Sequence, residues 1–453
     1  MNKQIKKYLI TRAITEPWTI KGNQRDDFAA VIVIPVLAER DTLSATLQKI
    51  CLNPCNDLAQ TLVLIVVNNR VNPAADQMTD NQKTLHWLQS NPYPQLNLGW
   101  VDASSSGLEL PDRDGVGLAR KIGFDLSLQR LDWKVDPLLI SLDADTLTDS
   151  QYLSTIFAYF MTNKKGGAVI PFRHQSGSSQ QQEFAIRHYE LYLRSYLFGL
   201  QLAGSPYAYH SIGSAFACLA KDYIKAGGMN RRCGGEDFYF LQQLKKTSAV
   251  GMVHGTVVHP SPRFSDRVPF GTGKAVQEQV ETGKDLFHFV PACGFRILQQ
   301  WLRLVSCQLD RSAVQIIQQA LLISPALHKF LMELNFISIW EKLQNNHSSS
   351  AQRQKAFDNW FDALRTRQLL VRIEESSETS PQQNIEQLMS WGGYAGLKKE
   401  TEQLKVLEQL QGVDHEEKGR GQGDMSLDTD EKPINDFLCV LHSSFCLNRQ
   451  KEL

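Results

Sequence analysis

A chain of 453 residues with 42% apolar side chains and a formal charge of zero has material for a large core and room for a second domain. The balanced charge sets up no general field for a polyanion, so no nucleic-acid partner is expected. No uninterrupted apolar run approaches the roughly 20 residues that span a bilayer, so no transmembrane segment is expected either. The N-terminal MNKQIKKYLITRAITEPW is basic but lacks the apolar core and small-residue cleavage site of a signal peptide. The eight cysteines are scattered without paired CxxC spacing, as expected for reduced thiols. Together these features predict a cytoplasmic protein.

Residues 29–36 (AAVIVIPV) form a β-branched run that predicts a fully buried strand. A helix is expected over 41–52, with Asp41 at its start and Leu43, Leu47 and Ile50 at helical spacing. A second buried strand over 61–67 runs into Asn68-Asn69-Arg70. A third unit comprises a strand at 96–101, a Gly-rich loop around 113–117, a helix over 116–130 and a strand at 137–142. This alternation predicts an α/β fold with a mostly parallel, doubly wound sheet, whose ligands lie beyond the carboxyl ends of the strands. The loops at 37–40, 68–72, 111–120 and 143–146 are then the ones to carry function. Further on, a strand is expected at 167–171, a helix at 183–203, a mixed segment at 205–228, a helix at about 237–246, and strands within 248–260 that end in His254 and His259. From 285 to 370 the pattern is almost wholly helical, with Trp301, Ile316, Leu331 and Phe336 on an apolar face. An amphipathic helix in 285–345 leaves peripheral membrane contact open. Residues 374–385 and 412–433 are polar and poor in aromatics, a composition expected to lack order.

Three constellations point to chemistry. Asp143-Ala144-Asp145 follows an apolar strand, and in extended backbone residues i and i+2 project to one side. Two carboxylates so placed suit a hard cation such as Mg2+ or Mn2+, which takes oxygen ligands and bridges phosphates; an Asp-capped turn would use the same residues. Gly234-Gly235-Glu236-Asp237 opens a helix, where glycines permit close approach of a ligand and the dipole favours charged acids; acids are also common in first turns for purely structural reasons. The segment from His259 to Lys274 carries Arg263, Arg267 and Lys274 near glycines, a set that can grip a diphosphate or remain a solvated loop. His259 offers a neutral nitrogen to a metal, or is a buried structural histidine. Gly115-Val116-Gly117 is no dinucleotide fingerprint, since Arg120 stands where the third glycine belongs. Gly273-Lys274 is no P-loop, because position 268 is Val and Ala275 replaces the hydroxyl residue.

In order and spacing these elements resemble family 2 glycosyltransferases with the GT-A nucleotide-sugar-binding fold. The matching residues are Ile34-Pro35 through Glu39, Asn68-Asn69, the run from Gly117 to Gly123, Asp143-Ala144-Asp145, Gly213-Ser214-Ala215-Phe216, Ala226-Gly227-Gly228-Met229 and Gly235-Glu236-Asp237. The resemblance implies a GT-A catalytic domain over 28–284 after an N-terminal extension (1–27). A helical domain or arm (285–373) and a polar, partly disordered tail (374–453) follow. It implies a nucleoside-diphosphate sugar as donor and an acceptor hydroxyl of unknown identity. Pro35 and Glu39 would border the nucleoside, and Asn68 stands where such enzymes often carry an Asp that contacts the base. Arg120 would approach the diphosphate or nucleoside, and Asp143 the ribose or sugar. Asp145 would bind the metal, with Asp143 and His259 as further ligands. Asp237 would be the base of an inverting transfer, and Glu236 would orient acceptor or sugar. Arg263, Arg267 and Lys274 would stabilise the leaving diphosphate. Tyr207, Tyr209, His210 and Phe216 are expected on the acceptor side, where aromatic faces stack on sugar rings, or in the core. Retention is the mechanistic alternative, since His259 after the acidic motif also resembles the metal-binding His of retaining relatives. A sugar-phosphate nucleotidyltransferase and an inactive scaffold are the competing classes, the former lacking its Gly-rich loop at Val36-Leu37-Ala38-Glu39-Arg40.

Overall fold

Among the described residues there are ten strands: β1 (Ile20–Gly22), β2 (Ala30–Val36), β3 (Thr61–Asn68), β4 (Asn97–Ala103), β5 (Leu138–Ser141), β6 (Leu147–Thr148), β7 (Gly167–Val169), β8 (Phe216–Leu219), β9 (Val250–Met252) and β10 (Val258–His259). They are seen in a computed structural model that describes residues 3–265, 271–283, 287–375 and 378–413. Eight strands join in one sheet, in the order β1-β4-β3-β2-β5-β8-β7-β9, and β6 pairs with β10. The fold is α/β and the sheet mostly parallel: β2 runs parallel to β3 and β5, β3 to β4, and β7 to β9. β1 on β4, and β8 between β5 and β7, run antiparallel.

Every residue of β2 and β3 is buried, because helices cover both faces. The two-residue period of a strand shows in β2: Val31 and Val33 point into a core with Phe124, Tyr223 and Phe240, while Ile32 and Ile34 point into one with Leu43, Leu47 and Tyr152. A third core is helical. It gathers Trp301, Phe330, Phe336, Trp340 and Phe357 with Leu191 and Phe198 of the long helix Gln180–Leu202, so the helices after 290 pack on the same helix that borders the sheet.

Several boundaries differ from expectation. The helix predicted over 116–130 is α-helical over Val116–Ser127 and ends in a 3-10 turn at Leu128–Arg130. Helix Ala75–Gln89 lay unrecognised, its polar run DQMTDNQ hiding a face that buries Asn81, Thr84, Leu85 and Leu88. The mixed segment 205–228 contributes the antiparallel strand β8. His259 ends β10, but His254 lies in the turn between β9 and β10. Helices Pro381–Trp391 and Glu400–Leu410 fall inside the stretch 374–453. The first starts within 374–385, where its composition predicted no order. A Ser380–Gln383 capping box, Pro381 at the first turn and burial of Ile385, Leu388 and Met389 stabilise it. Residues 414–453 lie outside the described residues. Among the described residues no helix is long and apolar enough to cross a membrane.

Candidate active site

The carboxyl ends of β2, β3 and β5 meet along one edge of the sheet, and each delivers a polar residue: Glu39, Asn68 and Asp143. β8 runs the other way, with Phe216 opposite Ser141, so the turn before it brings Gly213 to that same edge.

Arg120 is the centre of this edge. Its helix begins close to the 230–236 loop because position 117 is glycine: the Gly117 N–H donates to the Arg232 carbonyl at 3.1 Å. A Cβ on Gly117 would stand 2.4 Å from that oxygen and 2.9 Å from Cβ of Glu236. One turn further on, the buried Arg120 guanidinium pairs with Asp143 on one side and Glu236 on the other. Its Nε donates to Ser141 Oγ at 3.0 Å, and that hydroxyl donates to the Gly213 carbonyl at 2.7 Å. Gly213 backs directly onto Arg120, since a Cβ there would meet Nη2 at 2.5 Å. Burial opposes the guanidinium charge, but Asp143, Glu236 and Asp237 outweigh it and hold Arg120 more firmly protonated than usual.

Asp237 sits beside this pair. Gly235 takes the left-handed conformation (φ 67°) that turns the chain into helix Glu236–Thr247, and the Phe238 N–H donates to Asp237 Oδ1 at 2.7 Å. Burial, then the neighbouring Glu236 charge, push the Asp237 carboxyl up to about 7, against the pull of Arg120. Burial also pushes Glu236 up, with Arg120 drawing it back. Asp143 acts electrostatically on Asp237, and Arg120 touches both Asp143 and Glu236. The two acidic motifs therefore meet around Arg120 at one edge of the sheet.

A second cluster joins Glu39, Asp145 and Arg263. The Arg263 Nε donates to Asp145 Oδ2 at 2.6 Å, and its Nη2 pairs with Glu39. The Asp145 carbonyl accepts from Gln175 Nε2 at 2.9 Å, and the Ala144 carbonyl accepts from Thr46 Oγ1 at 2.9 Å. Residues 143–146 form a turn, closed by the Thr146 N–H on the Asp143 carbonyl at 3.2 Å, instead of the extended backbone expected. Asp143 thus faces Arg120 while Asp145 faces Arg263.

The other expected site residues are placed as follows. Pro35 is buried in β2, next to the loop that carries Glu39. Asn68 is buried and spends its amide N–H groups on the carbonyls of Val36 (3.0 Å) and Val66 (3.1 Å), which leaves its Oδ1 for a ligand. His259 is turned elsewhere: its Nδ1 lies 3.0 Å from the Arg173 carbonyl and its Nε2 3.4 Å from Asp149. Lys274 lies on helix Thr272–Thr282, 3.9 Å from Glu278. Arg267 lies outside the described residues. Phe216 belongs to the core with Phe124 and Phe240, whereas Tyr207, Tyr209 and His210 line a cavity.

Among the described residues no three His, Cys, Asp or Glu side chains converge in a metal-binding group. Glu39, Asp143, Asp145, Glu236 and Asp237 nevertheless gather around Arg120 and Arg263 at this edge of the sheet. Asp143 and Asp145, on one turn, fit a divalent cation that completes its shell with waters and phosphate oxygens instead of an all-protein cage. Sequence reasoning missed Ser141 and Asn81. Asn81 accepts from the Ala38 N–H at 2.9 Å and donates to the Asn68 carbonyl at 3.1 Å, tying the Glu39 loop to the end of β3. Neither residue stands in a recognisable motif, because each is reached only through the sheet.

No protein-family model matches the chain, and no curated protein matches it. Solved structures do. S. aureus TarS 1–349 in complex with UDP-GlcNAc is 9% identical, with a TM-score of 0.39 over 78% of this chain and 93% of its own. The mannosyltransferase PcManGT from Pyrobaculum calidifontis, in complex with GDP-Man and Mn2+, is 13% identical, with a TM-score of 0.34 over 90% and 92%. M. tuberculosis glucosyl-3-phosphoglycerate synthase is 13% identical, with a TM-score of 0.30 over 61% and 81%. Roles for individual residues are therefore argued from this chain's own side chains.

Proposed function

We propose that this chain is a cytoplasmic GT-A glycosyltransferase, similar to family 2, that moves a sugar from a nucleoside-diphosphate sugar to an acceptor hydroxyl with inversion. One observation carries the proposal: Arg120 clamps Asp143 to Glu236, which sets a carboxyl of near-neutral pKa, Asp237, beside the acidic turn at the carboxyl ends of the strands. A base poised near pH 7 is what proton removal from a hydroxyl requires.

In the proposed reaction Asp237 takes the proton of the acceptor hydroxyl as its oxygen bonds to the anomeric carbon. The bond from that carbon to the diphosphate oxygen breaks on the opposite face, and its electron pair leaves with the nucleoside diphosphate. Asp143 and Asp145 are the residues to hold Mg2+ or Mn2+, which would neutralise charge growing on the diphosphate. Arg263, bound to Glu39 and Asp145, is assigned to the departing phosphates; Arg267 and Lys274 follow it in the sequence. Pro35, Glu39 and the Asn68 carbonyl oxygen border the nucleoside. His259 is engaged with Asp149 and the Arg173 carbonyl. The unpaired state of Cys51, Cys55, Cys218, Cys233, Cys293 and Cys307 supports a reducing compartment.

The test is product analysis with a panel of nucleotide sugars and Mg2+ or Mn2+. The expected products are free nucleoside diphosphate and a glycoside of inverted anomeric configuration. A retained configuration would remove Asp237 as base. Release of pyrophosphate would mark a nucleotidyltransferase, and no turnover with any donor would favour a scaffold.

A further inference from the structure

Among the described residues, four exposed large apolar side chains gather between positions 314 and 332: Val314 (54% exposed), Leu321 (46%), Leu322 (86%) and Met332 (46%). The others of that kind are strewn along the chain from Ile10 to Phe264. Helix Ala313–Ile323 carries the first three. Its inner side buries Ala313, Ile316, Ile317 and Ala320 in the helical core. On the opposite side Val314, Gln318 and Leu321 follow at i, i+4 and i+7, with Leu322 one position on. A helix apolar on both sides is ordinarily covered on both. Ser324 ends this helix and caps the next, Pro325–Glu333, where its side chain accepts from the Leu327 N–H. In that second helix Leu327, Phe330 and Leu331 face the core, while Pro325, Lys329 and Met332 form the outer stripe. The two helices pack on each other, and Leu322 and Pro325 stand exposed on either side of the joint.

Charge distinguishes this face further. No acid occurs from Arg311 to Met332, although the chain as a whole is neutral. Arg311 and Lys329 are both exposed. The acids that bracket the stretch are answered from other helices, Asp310 by Arg353 and Glu333 by Arg372 at 2.5 Å. The face thus offers aliphatic side chains and two cations, with no acid of its own between them. Its exposed residues include no aromatic, the usual anchor of a protein–protein contact. Three of the four apolar side chains are about half covered already, so the patch falls well short of the roughly 800 Å² per partner that a stable dimer buries. An anionic lipid surface has neither requirement. Apolar side chains enter it as far as the boundary of headgroups and acyl chains, and cations are drawn to its phosphates.

We propose that the outer face of helices Ala313–Ile323 and Pro325–Glu333 seats the chain on an anionic lipid surface. Val314, Leu321, Leu322 and Met332 enter the boundary layer, and Arg311 and Lys329 lie on the headgroup phosphates. The attachment is peripheral and reversible, since a few aliphatic side chains and two cations give modest binding, and among the described residues no helix is long and apolar enough to cross a membrane. It concerns where the chain works and stands apart from the proposed transfer.

The full chain is mixed with vesicles of phosphatidylcholine alone, or of phosphatidylcholine with phosphatidylglycerol, and bound protein is read by flotation. The anionic vesicles should carry the chain up and the neutral ones should not. Added salt should reduce the bound fraction, because it screens the two cations. Leu321→Ser/Leu322→Ser should weaken binding to anionic vesicles about tenfold or more, as the transfer of two leucines implies. Arg311→Gln/Lys329→Gln should weaken it by about the same factor. All four positions are exposed, so both variants should unfold in urea as the wild type does. Met161→Ser removes an equally exposed side chain (86%) from helix Tyr152–Thr162 and should leave binding unchanged. On anionic vesicles amide exchange should slow over residues 311–332. No flotation with anionic vesicles, equal flotation with neutral ones, protection elsewhere, an unchanged affinity in either double variant, or an equal loss in Met161→Ser overturns the proposal. A dimer that forms without lipid and dissociates in the leucine variant would overturn it too, by marking a second copy of the chain as the occupant.

Discussion

Arg120 answers two of the three acids around it through ion pairs, and burial with the Glu236 charge raises the third, Asp237, against its pull. Replacing Arg120 by Met strands Glu236, whose side chain is 5% exposed, without its counter-charge. A loss of about 3–5 kcal/mol is expected for a broken buried pair, read by urea unfolding. Asp237 makes two predictions of opposite sense. Transfer should accelerate as pH rises through about 7, because only the ionised carboxylate accepts a proton. Stability should fall over a lower range: the folded protein keeps a proton that an unfolded Asp releases near 3.8, so between about 4 and 7 the folded state binds more protons and loses ground as pH rises. Asp237→Asn should flatten that slope and cut kcat by roughly 10²–10⁴ with donor affinity retained. Wild-type turnover in this variant would remove Asp237 from its role.

At the next scale the site depends on how closely two helices and a turn approach. The N-terminus of Val116–Ser127 touches the loop before Glu236–Thr247 through Gly117, and any side chain there meets the Arg232 carbonyl. Gly117→Ala is therefore expected to cost about 1–3 kcal/mol by overpacking, and to lower transfer by shifting Arg120. Thermal unfolding and steady-state rates check the two effects. The opposite side of the same helix holds the chain's beginning in place: Asp125 accepts from the Tyr8 and Tyr223 hydroxyls, each at 2.8 Å, and from the Ile14 N–H at 2.9 Å. Helix Lys3–Thr11 is thereby anchored on the element that carries Arg120. Tyr8→Phe should cost about 1.5–3 kcal/mol, the worth of a hydrogen bond to a charged acceptor, in the same unfolding measurement.

Over the whole molecule, the late helices reach back to the acidic turn. Glu408 on Glu400–Leu410 pairs with Arg173 at 3.0 Å, and Gln411 pairs with the buried Arg194. The Arg173 carbonyl meets the His259 ring, and Gln175, two residues on, holds the carbonyls of Asp145 and His259 at 2.9 and 2.7 Å. A chain of polar contacts thus runs from residue 408 to Asp145. Glu408→Ala should cost about 1–3 kcal/mol by removing a buried carboxylate that answers Arg173 and the buried charge of Arg194. It should also weaken transfer if the chain positions Asp145, whereas unchanged kcat would restrict Glu408 to stability.

Much was legible along the chain wherever one local pattern carries the information. The apolar runs of β2, β3 and β5 announced buried strands, because a strand covered on both faces has no polar alternation to disguise it. The acids at 143 and 145 stood out because they follow a strand, and those at 236 and 237 because they open a helix after two glycines. The partners of those acids were not legible. Arg120 bridges residues 143 and 236, and Arg263 bridges 39 and 145, only because the strand order lays β2, β5 and β8 side by side. Coulombic attraction and burial depend on distance through space, and no periodicity along a chain records that distance. The turn at Asp143–Thr146, the direction in which the His259 ring points and the cavity lined by Tyr207, Tyr209 and His210 were decided by tertiary packing for the same reason.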